Sequence, residues 1–461
     1  MAEYPPTEQG GKARLLARGN WASRFGFILA ATGSAIGLGN IWKFPYITGD
    51  YGGGAFVLVY LVCVVIVGLP LMVAELMIGR RTQKNPVGAF KMLHKPKSWW
   101  QGTGWLGVAS GFVILSYYSV VAGWAIAYVF KSIVGFSGTA EQIQDQFGVL
   151  ASSAPLSIMW HTIFMILCMG IVIGGVQKGI ERWSKILMPT LFVILLGLMC
   201  YGLFYTKGGL LAIEFLFKPD FSRLSAEAAL SAMGHAFFTL SLGMGAMLTY
   251  GSYMRRDESI VRDAITVSVL DTVIALMAGI AIFSLVFHYG MQPGQSVGLI
   301  FKTLPVLFAQ TGPAISVPFF ILLTFAAITS GISLLEVVVA YFVDERRWSR
   351  TKATLILGIS IYLLGLLSAV SYWKLSFGDW EKGFFDLFDD FSTNYMLPIG
   401  GFLTCLFAAY VMKDADRVAE FGSKGPLYKG LIFILKYITP VAVLLVILHG
   451  LELLPFMDYA K

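Results

Sequence analysis

Charge is scarce in this sequence. Asp, Glu, Lys and Arg make up 13% of the 461 residues, about half the share of an ordinary soluble domain, whereas 57% are hydrophobic and mean hydropathy is +0.72. A water-soluble fold cannot be covered with so little polar surface. Cysteine is scarcer still. Cys63, Cys168, Cys200 and Cys405 each fall inside an apolar run and lack metal-type spacing, so they are read as packed thiols and not as disulfides or ligands. No HExxH, no GxSxG, no Cys–His pair and no paired acids near a shared position are found, so the chain is not expected to be an enzyme. No period of 20–50 residues stands out, which excludes a solenoid. The first twenty residues, "MAEYPPTEQGGKARLLARGN", lack an apolar core and a small-residue cleavage site; they are not read as a signal peptide.

What is present is a series of long apolar runs. Stretches of about twenty apolar residues match the length of a bilayer-spanning helix, and eleven can be marked: 24–48, 54–79, 102–131, 156–176, 184–205, 229–254, 263–289, 317–343, 353–373, 392–412 and 429–451. The runs are continuous rather than alternating, so a β-barrel is excluded. The expected fold is an all-α polytopic membrane protein with eleven transmembrane helices. Segment 297–311, with Pro305, is too short to span and reads as a re-entrant or surface helix.

The net charge of +7 is a topology signal rather than a nucleic-acid patch. Arg14, Arg18, "RRTQK", "KGIERWSK", "RRDESIVRD", "DERRWSRTK" and "KDADR" all fall on one side of the alternating runs. The opposite side holds Asp379, Glu381, Asp386, Asp389 and Asp390. The basic side is expected to be cytoplasmic, with the N-terminus inside and the C-terminus outside.

Two runs interrupt themselves. The first breaks at "GSAIGLGN" and the sixth at "TLSLGMGAM", with Ser241, Gly243 and Gly245. They lie five spans apart and so run in opposite directions. Glycine-interrupted helices at matching places in two inverted halves point to the central site of a secondary transporter. Freed carbonyls can coordinate Na⁺, and freed N–H groups at a half-helix N-terminus can hold a carboxylate. Glycine in membrane helices also serves close packing, but two breaks in register, each beside Asn, Ser or Thr, favour binding.

Other intramembrane polar residues fit the same reading. Thr329, Ser330, Ser333 and Glu336 lie in the eighth run, where paired hydroxyls either complete a Na⁺ shell or bond back to their own helix. Asp271 sits well inside an apolar run, where a carboxylate is functional by default. Tyr117 or Tyr118 could bond a substrate carboxylate, or either could be core. His235 reads as a packing residue.

"RFGFILAATGSAIGLGNIWKFPY" with "GGGAF", "FFTLSLGMGA" and "ITSGISLLE" resembles the neurotransmitter:sodium symporter family, over about Trp21 to Pro440. "GIERWSKILMP" carries Gly179 and Pro189 with nine residues between them, a fifth-helix unwinding pattern of bacterial members that carry hydrophobic amino acids. The resemblance implies a LeuT-type 5+5 inverted repeat with helices 1 and 6 discontinuous. Its expected division is a cytoplasmic tail (1–23), a first repeat (24–206), an extracellular loop (207–228), a second repeat (229–412), and helix 11 with the C-terminus (413–461).

The same resemblance implies a first sodium site from the Ala35 carbonyl, Asn40, Thr239, Asp271 and the substrate carboxylate. A second would use carbonyls of Gly33, Ile36 and Ala326 with the hydroxyls of Thr329 and Ser330. The substrate carboxylate would meet the Leu38 and Gly39 N–H groups and the Tyr118 hydroxyl. Its amino group would meet carbonyls near Ala35, Phe238 and Ser241. Ile114, Phe238, Met244 and Leu334 would line the side-chain pocket, with Phe238 as outer lid and Thr239 and Ser330 bordering it. Lys43 and Asp390 would gate the outside; Arg18, Asp344, Tyr253 and Glu336 the inside. Lys43 replaces the usual Arg, which puts a bidentate pair in question. Met244, between two glycines, replaces an aromatic, so a pocket tolerant of several sizes is expected.

The implied function is Na⁺-coupled import of a hydrophobic or aromatic L-amino acid across the bacterial inner membrane, with two sodium ions and no organic cofactor or nucleic acid. The alternatives are a sodium-independent exchanger of the same fold and a non-transporting sensor. Chloride independence is expected because Asp271 supplies a fixed negative charge, whereas Ala275 stands where other members carry Glu. Outward return of a proton is a further expectation.

Overall fold

A chain in hydrocarbon must satisfy every backbone N–H and C=O from within, which leaves helices as the solution for continuous apolar runs. The computed structural model describes residues 19–292, 299–370 and 383–454, and all regular structure among them is helical. Among the described residues, nine helices are long and apolar enough to cross a membrane: Gly54–Thr82, Gln101–Val134, Ala154–Ile173, Val176–Tyr205, Ile260–His288, Pro313–Asp344, Arg350–Ala369, Phe384–Val411 and Pro426–Gly450. A tenth span is the pair Arg24–Ala35 and Gly39–Asp50, bent by 51° at its break. Ala226–Thr239 and Ala246–Gly251 form the other interrupted span. These make the eleven, numbered spans 1 to 11 in chain order. Residues 303–311 form a short helix, with Pro305 in its first turn, that does not span.

Burial sorts the spans. The most apolar window of span 3 is 83% buried and that of span 8 is 72%, against 33% for spans 5 and 11. Spans 3 and 8 are therefore the inner wall, and spans 5 and 11 face outward. Small residues permit the close approaches. A Cβ on Gly79 of span 2 would lie 2.0 Å from the Leu248 carbonyl oxygen of span 6, and one on Gly123 of span 3 would lie 2.7 Å from the Trp160 carbonyl carbon of span 4.

The start of span 5 departs from expectation. Polar "KGIERWSK" reads as a loop, yet the span begins at Val176 and runs through it in wide π turns, Val176–Glu181. Gly174 and Gly175 (φ +79°) end span 4 just before it. The charges enter the helix because the start of span 1 satisfies them. Glu181, 1% exposed, accepts from the Ala22 N–H at 2.7 Å and the Ser23 hydroxyl at 3.1 Å, and Lys185 donates to it at 2.6 Å. Gln177 donates to the Asn20 carbonyl at 2.7 Å. Gly26 leaves room for this carboxylate: a Cβ there would lie 2.0 Å from it and displace the Glu181 side chain.

The basic end of the bundle is knitted by ion pairs. Arg24 meets Asp263 at 2.6 Å, Arg80 meets Glu420 at 2.6 Å and Arg81 meets Asp416 at 2.5 Å. They tie spans 1 and 2 to span 7 and to the helix Asp414–Phe421 that precedes span 11.

Candidate functional site

The break in span 1 begins where Ile36 turns to φ −77°, ψ 96°, after its N–H closes the last turn on the Thr32 carbonyl at 2.7 Å. The carbonyls beyond that bond have no helical partner. Three of them converge on one side chain of span 8: the Ser330 hydroxyl lies 3.5 Å from the Gly33 oxygen, 3.2 Å from that of Ser34 and 3.5 Å from that of Ile36. Thr329, the adjacent hydroxyl, donates to the carbonyls of Ala326 at 3.0 Å and Phe325 at 3.2 Å. Gly33, Ile36, Ala326, Thr329 and Ser330 thus form one oxygen-rich cluster, and a Cβ on Gly33 would touch Thr329 at 3.0 Å.

A second cluster surrounds Asp271 of span 7, which is fully buried. The Asn40 amide donates to its carboxylate at 2.8 Å and to its carbonyl at 3.2 Å. The Thr239 hydroxyl lies 3.2 and 3.1 Å from its two carboxylate oxygens, and the Tyr60 hydroxyl donates at 3.4 Å. Asn40 also accepts the Gly37 N–H at 3.3 Å, so the loop of span 1 hangs on this group. Tyr60 is not evident from sequence, being an aromatic in an apolar run.

Span 6 is broken over residues 240–245, where Ser241 (φ +53°), Gly243 (φ +82°) and Gly245 (φ +73°) take left-handed backbone. A Cβ on Gly243 would lie 2.1 Å from the Leu397 carbonyl oxygen. The freed N–H groups of Gly243 and Leu248 are received by one buried carboxylate, Glu75 of span 2, at 2.7 and 3.3 Å. Sequence reading misses Glu75, although the rule that singles out Asp271 applies equally to it.

Between the two breaks lies a cavity. Ala35, Leu38, Gly39, Ile114, Tyr118, Phe238, Ser241, Met244, Ser330 and Leu334 all line it, and so do Ser34, Gly37 and Ser333. Thr239 faces Asp271 instead. The two tyrosines separate. Tyr117 pairs its hydroxyl with Ser392 at 3.0 Å, whereas the buried Tyr118 hydroxyl has no hydrogen-bond partner among the described residues. His235, packed against the rings of Phe44 and Tyr60, has both ring nitrogens buried without a partner among the described residues.

At one end, the Lys43 ammonium stands 4.9 Å from the centroid of Phe238, and Asp390 is half-buried on Phe384–Phe391. A lysine above the ring is a cation–π contact and needs no planar fork. At the basic end, Glu336 is fully buried, accepts from the Tyr253 hydroxyl at 2.6 Å and is ion-paired with Arg350. Arg350 does not stand out in the sequence, since it sits in a basic loop pattern. Asp344 accepts from the Asn85 N–H at 3.1 Å and its side-chain amide at 3.2 Å. Arg18, Arg14, Asp379 and Glu381 lie outside the described residues. Tyr253, Asp344 and Arg350 line a second cavity of about 430 Å³, together with Gly174, Gly175 and Lys178. Gly179 lies in the π turns beside it, and Pro189 is inside span 5.

Comparison with known proteins agrees with this architecture. The chain is 38% identical over 451 residues to an uncharacterized sodium-dependent transporter, YhdH, of Bacillus subtilis, covering 95% of this chain and 98% of that one. It is 33% identical to a sodium-dependent transporter of Methanocaldococcus jannaschii, MJ1319, over 88% and 84% of the two chains. The crystal structure of MhsT in complex with L-phenylalanine matches with a TM-score of 0.86 and 44% identity, covering 94% of this chain and 100% of that one. Residues 18–141 and 136–461 match the sodium:neurotransmitter symporter family. This multi-pass membrane protein therefore belongs to that family of sodium-dependent transporters, and it is not an enzyme.

Proposed function

We propose that the chain imports hydrophobic L-amino acids with inward Na⁺ by alternating access, as a bacterial inner-membrane protein with its basic end in the cytoplasm. The observation that carries this reading is the cavity between two broken spans, lined by the unpartnered Tyr118 hydroxyl, by serines and by the apolar side chains of Ile114, Phe238, Met244 and Leu334. The unpartnered Tyr118 hydroxyl and the N–H groups of Leu38 and Gly39 would take the carboxylate. Carbonyls of Ala35 and Phe238 with Ser241 would take the ammonium. Ile114, Phe238, Met244 and Leu334 would hold the side chain, as the structure of MhsT with L-phenylalanine supports by likeness.

The Asp271 cluster, with Ala35, Asn40 and Thr239, would hold one Na⁺. The oxygens of Gly33, Ile36, Ala326, Thr329 and Ser330 would hold another. Lys43 with Asp390 would close the outer path. Asp344 with Arg18, and Glu336 with Tyr253, would close the inner one. The divisions at residues 23, 206, 228 and 412 would separate tail, repeats, outer loop and helix 11. Unwinding between Gly179 and Pro189 would open the inner path to water.

Uptake of labelled L-phenylalanine into sealed proteoliposomes tests the reading. Accumulation only under an inward Na⁺ gradient is expected. Equal exchange without Na⁺ would make the chain an exchanger, and binding without accumulation a sensor. A lumenal pH dye in the same vesicles reads the expected outward carriage of protons.

A further inference from the structure

Between Glu75 and Glu141 the sequence holds no Asp or Glu, yet the turn joining spans 2 and 3 carries Lys91, His94, Lys95 and Lys97 beside Trp99 and Trp100. This turn is tightly built. The Ser98 N–H closes it on the Lys95 carbonyl at 3.1 Å, with Pro96 at the second position, where its fixed φ fits. The Ser98 hydroxyl meets His94 Nδ1 at 2.7 Å and accepts the Trp100 N–H at 3.3 Å. Gln101 reaches back and donates to the Pro96 carbonyl at 2.5 Å. Trp99 is 65% exposed but braced: its ring stacks on that of Trp100 at 3.9 Å, and the buried Trp100 packs its edge against Phe407 of span 10 at 5.4 Å. Lys91 meets Glu345 at 3.7 Å, whereas Lys95 and Lys97 are exposed and pair with no acid among the described residues.

We propose that this turn binds the headgroup of an anionic phospholipid in the leaflet at the basic end, with Lys95 and Lys97 on the phosphate and Trp99 against the glycerol and the tops of the acyl chains. Depth supports this placement. Span 3 follows the turn directly and has 34 residues, about 51 Å of helix. The hydrocarbon of a bilayer is about 30 Å thick, so the ends of this helix stand among the headgroups, and the turn stands there with the end it leads into. A large apolar ring with one polar N–H favours that layer. Two ammonium groups on a stretch without acid complement a phosphate held in the same plane. A lysine is a point charge on a flexible stem, which suits a phosphate arriving in a fluid bilayer. The ring is what selects a lipid. A soluble phosphate ester could meet the two lysines, but it has no chains to lay against Trp99. Because Trp100 and Phe407 already fix that ring, little ordering is needed when the lipid docks.

The test titrates phosphatidylglycerol, brominated near the top of its acyl chains, into the purified full chain in neutral detergent micelles, with phosphatidylcholine of the same chains in parallel. Bromine quenches a tryptophan it touches, and the Trp99 signal is the difference between the wild type and Trp99→Phe. Phosphatidylglycerol is expected to half-quench Trp99 at a mole fraction about thirtyfold below phosphatidylcholine, the equivalent of about 2 kcal/mol for two lysines at about 1 kcal/mol each. Lys95→Gln with Lys97→Gln should bring the two lipids to within about threefold, and Lys95→Arg with Lys97→Arg should keep the preference. Lys413→Gln with Lys429→Gln, exposed lysines elsewhere at the basic end, should change it by less than about twofold. Equal quenching by the two lipids in the wild type overturns the proposal, and so does a preference that survives the glutamine pair at 95 and 97. An equal loss in the pair at 413 and 429 also overturns it, since diffuse charge and not the turn would then attract the lipid. Glycerol 3-phosphate, the same phosphate chemistry without chains, should leave the lipid in place. Full displacement by it would make the turn a site for soluble phosphate esters and overturn the lipid assignment.

Discussion

Glu75 on span 2 accepts the N–H of Gly243 at 2.7 Å, so a carboxylate from one helix occupies the gap in another. Its second oxygen takes the N–H of Leu248, across the break. Glu75→Ala would strand both groups in a buried place. Each unsatisfied donor costs about 1–3 kcal/mol, so the variant should melt several degrees lower in detergent, and Glu75→Gln, which keeps one acceptor, should fall between. An alanine variant that melts with the wild type would show that the gap is held by something else.

Asn40 and Ser330 each gather groups freed by the break in span 1. Asn40→Ala and Ser330→Ala are expected to raise the Na⁺ concentration that half-activates substrate binding by roughly tenfold, the equivalent of about 1.4 kcal/mol. Removing Na⁺ altogether should abolish binding in the wild type. Substrate binding by both variants at wild-type strength in sodium-free buffer would sink the ion-site assignment.

Fully buried Glu336 is ion-paired with Arg350, whose side chain is partly exposed and lines the basic-end cavity. Removing one partner leaves an uncompensated charge, at about 3–5 kcal/mol, whereas replacing both is far less costly. Arg350→Gln alone should therefore destabilise the closed state and expose a cysteine placed in that cavity to a membrane-impermeant reagent. Adding Glu336→Gln should restore protection. If the double variant is as reactive as the single one, the pair does not act as a latch.

The Asp271 carboxylate lies within hydrogen-bonding distance of Asn40 and Thr239, and its ionised form would place a fixed negative charge beside the proposed Na⁺. At an intermediate dielectric, a carboxylate a few Å from a cation is worth several kcal/mol, which is the role a chloride ion would otherwise fill. Uptake by the wild type should be unchanged when Cl⁻ is replaced by gluconate. Asp271→Asn should either lose transport or acquire a Cl⁻ requirement. A wild type that stops in gluconate contradicts the assignment.

Much of this is legible because lipid restricts what a sequence can do. The apolar runs mark the spans, and "GSAIGLGN" and "TLSLGMGAM" mark the breaks, since close packing alone does not call for glycine clusters at matching depths of two opposed helices. Asp271 stands out because a carboxylate in an apolar run is expensive. Glu75 satisfies the same criterion, but its purpose depends on Gly243, 168 residues away. Local pattern alone leaves Tyr117 and Tyr118 open; the family resemblance points to Tyr118, and the hydrogen bond that occupies Tyr117 with Ser392 is seen only in the fold. Glu181 is hidden for the opposite reason. Its neighbours are so polar that the segment reads as a loop, and the groups that meet Glu181 from the start of span 1, the Ala22 N–H and the Ser23 hydroxyl, are more than 150 residues away in sequence.

The wide turns in this molecule bear on how its length can change. Besides those in span 5, π turns occur at Val64–Gly68 in span 2, at Ser392–Met396 and Phe407–Val411 in span 10, and at Ile434–Ile438 in span 11. Each such turn accommodates one residue more than an α-helix needs while leaving the faces on either side in place. Elsewhere in a helix, a single deletion rotates everything beyond it by about 100°. Losing one residue inside Val64–Gly68 or Ile434–Ile438 should simply tighten the turn. A single-residue deletion at these places is therefore expected to be tolerated where the same deletion elsewhere in a span would turn one face of the helix away from its partners.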